Sequence, residues 1–348
     1  MIGPASTDGT LARWFEVLTL SGGYNTNVVL FGVALLGLAA GAVGSFAMLK
    51  KQSLVADAFA HASLVGVAVA FLVQAWFHSW SGSPEAALAG AARPGPERNM
   101  VVLLVGAGIA GAAAVAAIEF LVRKTRLRAD TATAAVSSAS FGAGIATLSI
   151  ARRVSGADQA GLDSLIFGAA SSMTRADAYA MAALALIAAL FTAVLFKPLR
   201  AVAFNDRFAR TSGLPVNAID IALGALVAAV TLAGMQAVGM LLVVALLITP
   251  CATARLWTRA VGPLVATSAA LGATCGVLGV SLSRVLPSVP TGAVVVLIAA
   301  AAFVVSALFA PERGLLAGLR RERRMRAAVL VALRAPGDPG VNSGGAER

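Results

Sequence analysis

SLVADAFAHASLVGVAVAFLV, residues 53–73, is apolar along almost its whole length, yet carries Asp57 and His61 near its head. About 20 such residues, at about 1.5 Å of rise each, make a helix long enough to cross a hydrocarbon core. The same texture runs through the chain: 59% of its 348 residues are hydrophobic and 12% are charged, with a mean hydropathy of +0.86. A soluble domain uses ~45–50% apolar and ~25% charged residues, so this composition excludes that class. Apolar blocks fall near 28–49, 53–77, 100–122, 132–151, 178–196, 217–234, 237–254, 262–283 and 290–310. The expected fold is all-α, a polytopic membrane protein of about 8–9 transmembrane helices. Its 35 glycines and many alanines suit close helix contact in lipid, where small residues let backbones approach.

The net charge of +11 does not point to nucleic acid, because the basic residues collect at alternate segment ends. Lys50 and Lys51, Arg123 to Arg128, Lys197 to Arg210, Arg255 and Arg259, and the tail from Arg313 fall on one side. Arg13, Arg93, Arg98, Arg152, Arg153, Arg175 and Arg284 fall on the other. The positive-inside rule then places the amino end outside and the carboxyl end in the cytoplasm. Residues 1–27 lack the layout of a cleavable signal. They are expected to form an outer segment, with LARWFEVLTL at the interface as an amphipathic helix. Residues 28–312 form the membrane domain, 313–334 a basic amphipathic helix against the inner headgroups, and 335–348 a disordered tail.

Two loops interrupt the pattern: a Gly/Pro-rich outer one at 79–99, and an inner one, KPLRAVAFNDRFARTSGLPV at 197–216. In the second, Val202, Phe204 and Phe208 recur at helical spacing, as in a solvated linker or a docking surface. Cys251 and Cys275 sit inside apolar segments and read as small core residues. No GxxxxGK[ST] occurs, so the chain is not expected to hydrolyse ATP by that route, and no HExxH suggests an intramembrane zinc protease.

Asp57 and His61, four residues apart, share one helix face with Cβ atoms about 5–6 Å apart. A helix starting near Ser53 carries them about 6 and 12 Å inward. Ionisable groups at that depth face a cavity or a partner. Three readings stand: a local pair fixing a helix contact, an Asp57 favoured by the helix dipole, or a cation site. Carboxylate plus imidazole suits Mn²⁺, Zn²⁺ or Fe²⁺ better than Cu⁺. The other histidine, His78, reads as solvated at the outer interface. Metals take about four to six ligands, and no third is evident. Glu119, Asp163, Asp177 and Asp220 lie near segment ends, where water or arginine satisfies them. A two-fold dimer with this helix near the axis would bring four ligands together.

LKKQSLVADAFAHASLVGVAVAFL (49–72) resembles the signature of the metal-type ABC transporter permeases, which serve manganese, zinc and iron(II) uptake in bacteria. RADTATAAVSSASFGAGIATL, GLDSLIFGAASSMTRAD, VGMLLVVALLITPCATARLWTR and VPTGAVVVLIAAAAFVVSALF are similar to further motifs of that family in the same order. GYNTNVVLFGVALLG is nearer its manganese/iron branch. The resemblance implies an ABC importer permease fold, two permeases (a homodimer or a pair with a close homologue), two ATP-binding cassette subunits and an extracytoplasmic metal-binding protein. It implies a bacterial plasma membrane location, no permanently bound cofactor, and a divalent metal as cargo. Asp57 and His61 match the family's intramembrane metal positions. FNDRFARTSGLPV (204–216) matches its ATPase-docking segment, with Phe204, Asp206, Phe208 and Leu214 as candidate contacts, although Asn205 and Arg207 stand where acids are commoner. Pro250 removes a backbone hydrogen bond and should kink or break its helix, by packing or beside the pathway. The rival readings are a secondary cation/proton exchanger with Asp57 and His61 as relay, a non-transporting scaffold, and an importer of metal chelates.

Overall fold

The computed structural model describes residues 24–50, 52–80, 100–155, 174–285, 289–311 and 314. Among the described residues all regular structure is helical: α1 (Tyr24–Leu49), α2 (Ser53–Trp80), α3 (Met100–Lys124), α4 (Ala129–Ser155) and α5 (Arg175–Val194). Two short helices, α6 (Phe196–Phe204) and α7 (Asp206–Thr211), precede α8 (Val216–Val238), α9 (Met240–Trp257), α10 (Val261–Val285) and α11 (Thr291–Phe309). Every apolar block of the sequence is one of these helices. Eight of them are long and apolar enough to span a bilayer, and the apolar part of α9, Leu242–Trp257, is shorter. The segment before residue 24, residues 81–99, Asp163, and the basic helix and tail after Gly314 lie outside the described residues.

Local chemistry sets the helix ends. Thr174 and Asp177 form a reciprocal capping box at the start of α5, each side chain accepting from the other's backbone N–H. Gly213, at φ +79°, follows α7. A single residue, Gly239, separates α8 from α9, and its φ of +97° is open to glycine and strained for other residues. α4 runs past its apolar block to Ser155, so Arg152 and Arg153 belong to its last turns. α9 continues through Pro250, and the proline lies within a helix and does not end one.

Two cores organise the bundle. The larger gathers α1, α5–α11 and Ala56 at the start of α2 around side chains such as Leu36, Phe46, Leu223, Leu246 and Leu247. The smaller unites α2, α3 and α4 through Leu64, Phe71, Leu103 and Leu148, with Met235 of α8 joining it. α1 and α2 are consecutive yet scarcely touch. α1 packs most extensively on α10. There Gly37 and Gly272 meet backbone to backbone, and a Cβ on either would run into the other's carbonyl. The Ser268 hydroxyl donates to the Gly41 carbonyl at 2.8 Å. Small residues thus permit the approach that lipid alone does not drive. Outward faces carry large apolar groups, among them Ile109, Phe120, Leu186, Leu190, Leu297 and Phe309, as a lipid-facing surface requires.

Gly272→Ala forces a methyl against the Gly37 backbone, and overpacking of this kind costs about 1–3 kcal/mol. Thermal unfolding in detergent should fall for Gly272→Ala. It should stay unchanged or rise for Gly224→Ala, whose Cβ meets nothing within 4 Å.

Candidate metal site

Asp57 and His61 occupy the second and third turns of α2, facing α4. His61 Nε2 lies 3.3 Å from Asp57 Oδ1. Across the α2–α4 contact, the Ser137 hydroxyl donates to Asp57 Oδ2 at 2.8 Å. One turn further along α4, Phe141 meets the His61 ring edge-on, with centroids 5.0 Å apart. The Asp57 carboxylate is therefore held by two side chains at its two oxygens. The helix-dipole reading gives way to this arrangement, because Asp57 lies beyond the first turn and its partners are side chains.

The far nitrogen, His61 Nδ1, is buried and has no hydrogen-bond partner. In a neutral imidazole whose Nε2–H donates to Asp57, Nδ1 presents a bare lone pair. A carboxylate holding one ring nitrogen so that the other can ligate is a common device of metal-binding histidines. Beside Asp57 opens a recess of about 200 Å³ lined by Leu54, Asp57, Thr133, Ala134, Ser137 and Ser138. Thr133 donates to the Ala129 carbonyl, which leaves its oxygen lone pairs toward other partners. Among the described residues no third His, Cys, Asp or Glu joins the pair. Glu119 pairs with Arg123 at 3.0 Å, and Asp177 is spent on its cap. Asp220, for which the sequence suggested water or arginine, is paired with Lys50. Cys251 and Cys275 are free and buried. His78 lies in the last turns of α2.

The inner loop folds as α6 and α7. Asn205 Oδ1 accepts from the backbone N–H groups of Arg207 and Phe208, at 3.0 and 3.2 Å, and caps α7. An amide performs this task as well as the acid expected there. Phe204 and Phe208 project outward, 73% and 64% exposed, while Val202 and Ala209 turn into the core. Leu214 packs partly against the main core and presents less surface than the two phenylalanines. Asp206 lies 3.6 Å from Lys50. Lys50 itself is turned inward and paired with Asp220. At Pro250 the nearby Thr249 carbonyl accepts the Thr253 hydroxyl at 2.8 Å.

Sequence reasoning missed Ser137, Lys50 and Asn205 as working residues. Ser137 was one hydroxyl among several, with Thr131, Thr133, Ser138 and Ser140 around it, and nothing but its one-turn spacing from Thr133 and Phe141 set it apart. The acid partners of Lys50 are 156 and 170 positions away, beyond the reach of any local pattern.

The chain is similar to known proteins. Over 302 residues the chain is 35% identical to the manganese transport system membrane protein MntC of Bacillus subtilis (strain 168). That alignment covers 87% of this chain and 65% of MntC, so the chain spans slightly less than two thirds of that relative's length. It is 32% identical over 315 residues to the zinc transport system membrane protein TroC of Treponema pallidum (strain Nichols), covering 90% of this chain and 97% of TroC. Among solved structures, PsaBC from Streptococcus pneumoniae in complex with Fab superposes with a TM-score of 0.69 at 28% identity, over 87% of this chain and 97% of the matched one. Residues 24–310, from the start of α1 to the end of α11, match a single family description, and the chain is a member of the ABC 3 transport family.

Proposed function

We propose that the chain is the permease subunit of an ATP-driven importer for a divalent transition metal ion, Mn²⁺ or Zn²⁺ first and Fe²⁺ by the same donor preferences. The observation that carries this reading is the Asp57–His61 pair on a membrane helix, with an unpartnered Nδ1 and, beside Asp57, a hydroxyl-lined recess between α2 and α4. The names of the manganese and zinc relatives support the choice of cargo. Two copies, or one copy and a close homologue, bring two such pairs together and complete the coordination that one chain leaves short. The metal comes from an extracytoplasmic binding protein. The amino end is outside, and Lys50, α6 and α7 face the cytoplasm. ATP-binding subunits dock on Phe204 and Phe208, and their closure turns the site from outward to inward access. Hydrolysis belongs to those partners; this chain binds, orients and releases the ion.

Proteoliposomes holding the chain, its ATP-binding subunit and its binding protein test the reading. ATP-dependent uptake of Mn²⁺ or Zn²⁺ should be lost in Asp57→Ala/His61→Ala while the complex still assembles. Uptake driven by a pH gradient without ATP would instead establish the exchanger.

Two further outcomes follow from the geometry. Ser137→Ala frees one carboxylate oxygen of Asp57 and should weaken metal retention about 10-fold, the lower end for partners that orient a ligand. Equilibrium dialysis against Mn²⁺ and Zn²⁺ measures it. Only neutral imidazole ligates, so protonation of His61 competes with the metal. Uptake should fall as the buffer is acidified, and any residual uptake by His61→Gln should lack that fall.

A further inference from the structure

Lys50 closes α1 with its side chain 6% exposed. An ammonium taken so far out of water needs carboxylate partners, because its desolvation is otherwise uncompensated. It has two, on different elements. Asp220, on the first turns of α8, is close and largely shielded; Asp206, at the head of α7, is 3.6 Å away and half exposed. The two links differ in strength for that reason. The Asp220 link lies in a low-dielectric setting, whereas the Asp206 link is screened by water. Lys50 can therefore let Asp206 go and remain paired.

What stands on either side of this branch gives it meaning. Asp206 opens a six-residue helix held by the Asn205 cap and flanked by the exposed rings of Phe204 and Phe208. A push on those rings moves α7, and α7 is tied ionically to Lys50. From Lys50 the chain turns at once, with Gln52 N–H donating to the Ala47 carbonyl at 2.8 Å, and enters α2 at Ser53. Asp57 follows seven residues after Lys50 and His61 eleven. α1 and α2 share little packing of their own; the start of α2 leans on the larger core through Ala56, and from Ala60 onward α2 belongs to the smaller one. The short turn is thus the direct covalent path from the body that carries α7 to the body that carries the metal pair.

We infer that Lys50 is a positioning residue that couples the docking helix α7 to the Asp57/His61 helix, with Asp220 as its permanent counter-ion and Asp206 as its breakable one. This rests on the importer reading. Lys50 touches no cargo. It transmits the state of the docking surface to the turn ahead of the site.

The test uses the complete complex in proteoliposomes, with Mn²⁺ and Zn²⁺ as probes, reading metal imported per ATP hydrolysed and co-purification of the ATP-binding subunit. Lys50→Met/Asp220→Asn removes the charge without leaving a buried carboxylate unpaired, so the fold is kept. It should still co-purify and hydrolyse ATP within about twofold of wild type, while metal per ATP falls roughly tenfold, as residues on a coupling path can produce. Lys50→Arg should restore the ratio, and Asp206→Asn should lower it while leaving the Lys50–Asp220 link intact. An unchanged ratio in the double variant overturns the inference, as does loss of co-purification, which would make Lys50 a brace for the docking loop. Failure of the wild-type complex to import with ATP would overturn the importer reading itself, a result separate from both.

Discussion

A hydrocarbon core offers no hydrogen-bond partner, and every polar group placed in it must be satisfied by the protein itself. Nearly everything in this bundle follows from that constraint. The backbone is helical throughout the spans, so its donors and acceptors are paired within each segment. Intramembrane hydroxyls return to their own helices: Ser45 to the Gly41 carbonyl, Ser63 to Phe59, Thr192 to Ala188 and Thr231 to Val227. Ser137 and Ser268 instead bond across helices, to Asp57 and Gly41, and each marks a place where two helices are held in register. Against this background the unpartnered Nδ1 of His61 is an exception among the described residues.

The division into two cores gives the site its setting. α2, α3 and α4 form a group with Gly66 and Gly106 letting α2 and α3 meet closely. The Asp57–His61 pair lies on the α4 side of α2, between that group and a sparsely covered surface. The larger core holds α1 against α10 and supports the helices that carry the inner loop. The two packed bodies are joined by the short turn between α1 and α2, by Ala56 at the start of α2, and by contacts of α8 and α9 with α2.

Much of this was legible before any coordinates. The nine apolar blocks could be read because a span of lipid demands an uninterrupted run of apolar residues, and each block is a helix in the structure. The Asp57–His61 pair was legible because four residues of helix place two side chains on one face. The inner loop showed its helical spacing, and Phe204 and Phe208 do stand outward. Less legible were features in which one residue type can serve several ends. Asn205 departs from an acidic pattern yet caps a helix. Pro250 signals a kink or a break, and the helix runs on through it. Asp220 looked like an acid near water and is the partner of a shielded lysine.

The sequence by itself determined the membrane class, the helix inventory and the pairing of Asp57 with His61, all of which depend on local composition or on spacing within one helix. Only the tertiary structure decided that Ser137 holds the Asp57 carboxylate, that Lys50 is shared by Asp206 and Asp220, and that α1 belongs with α10 and not with its sequence neighbour α2. Those facts are pairings between helices far apart in the chain. They depend on which small-residue faces can approach closely enough to pack, and no periodicity along a single segment encodes that choice.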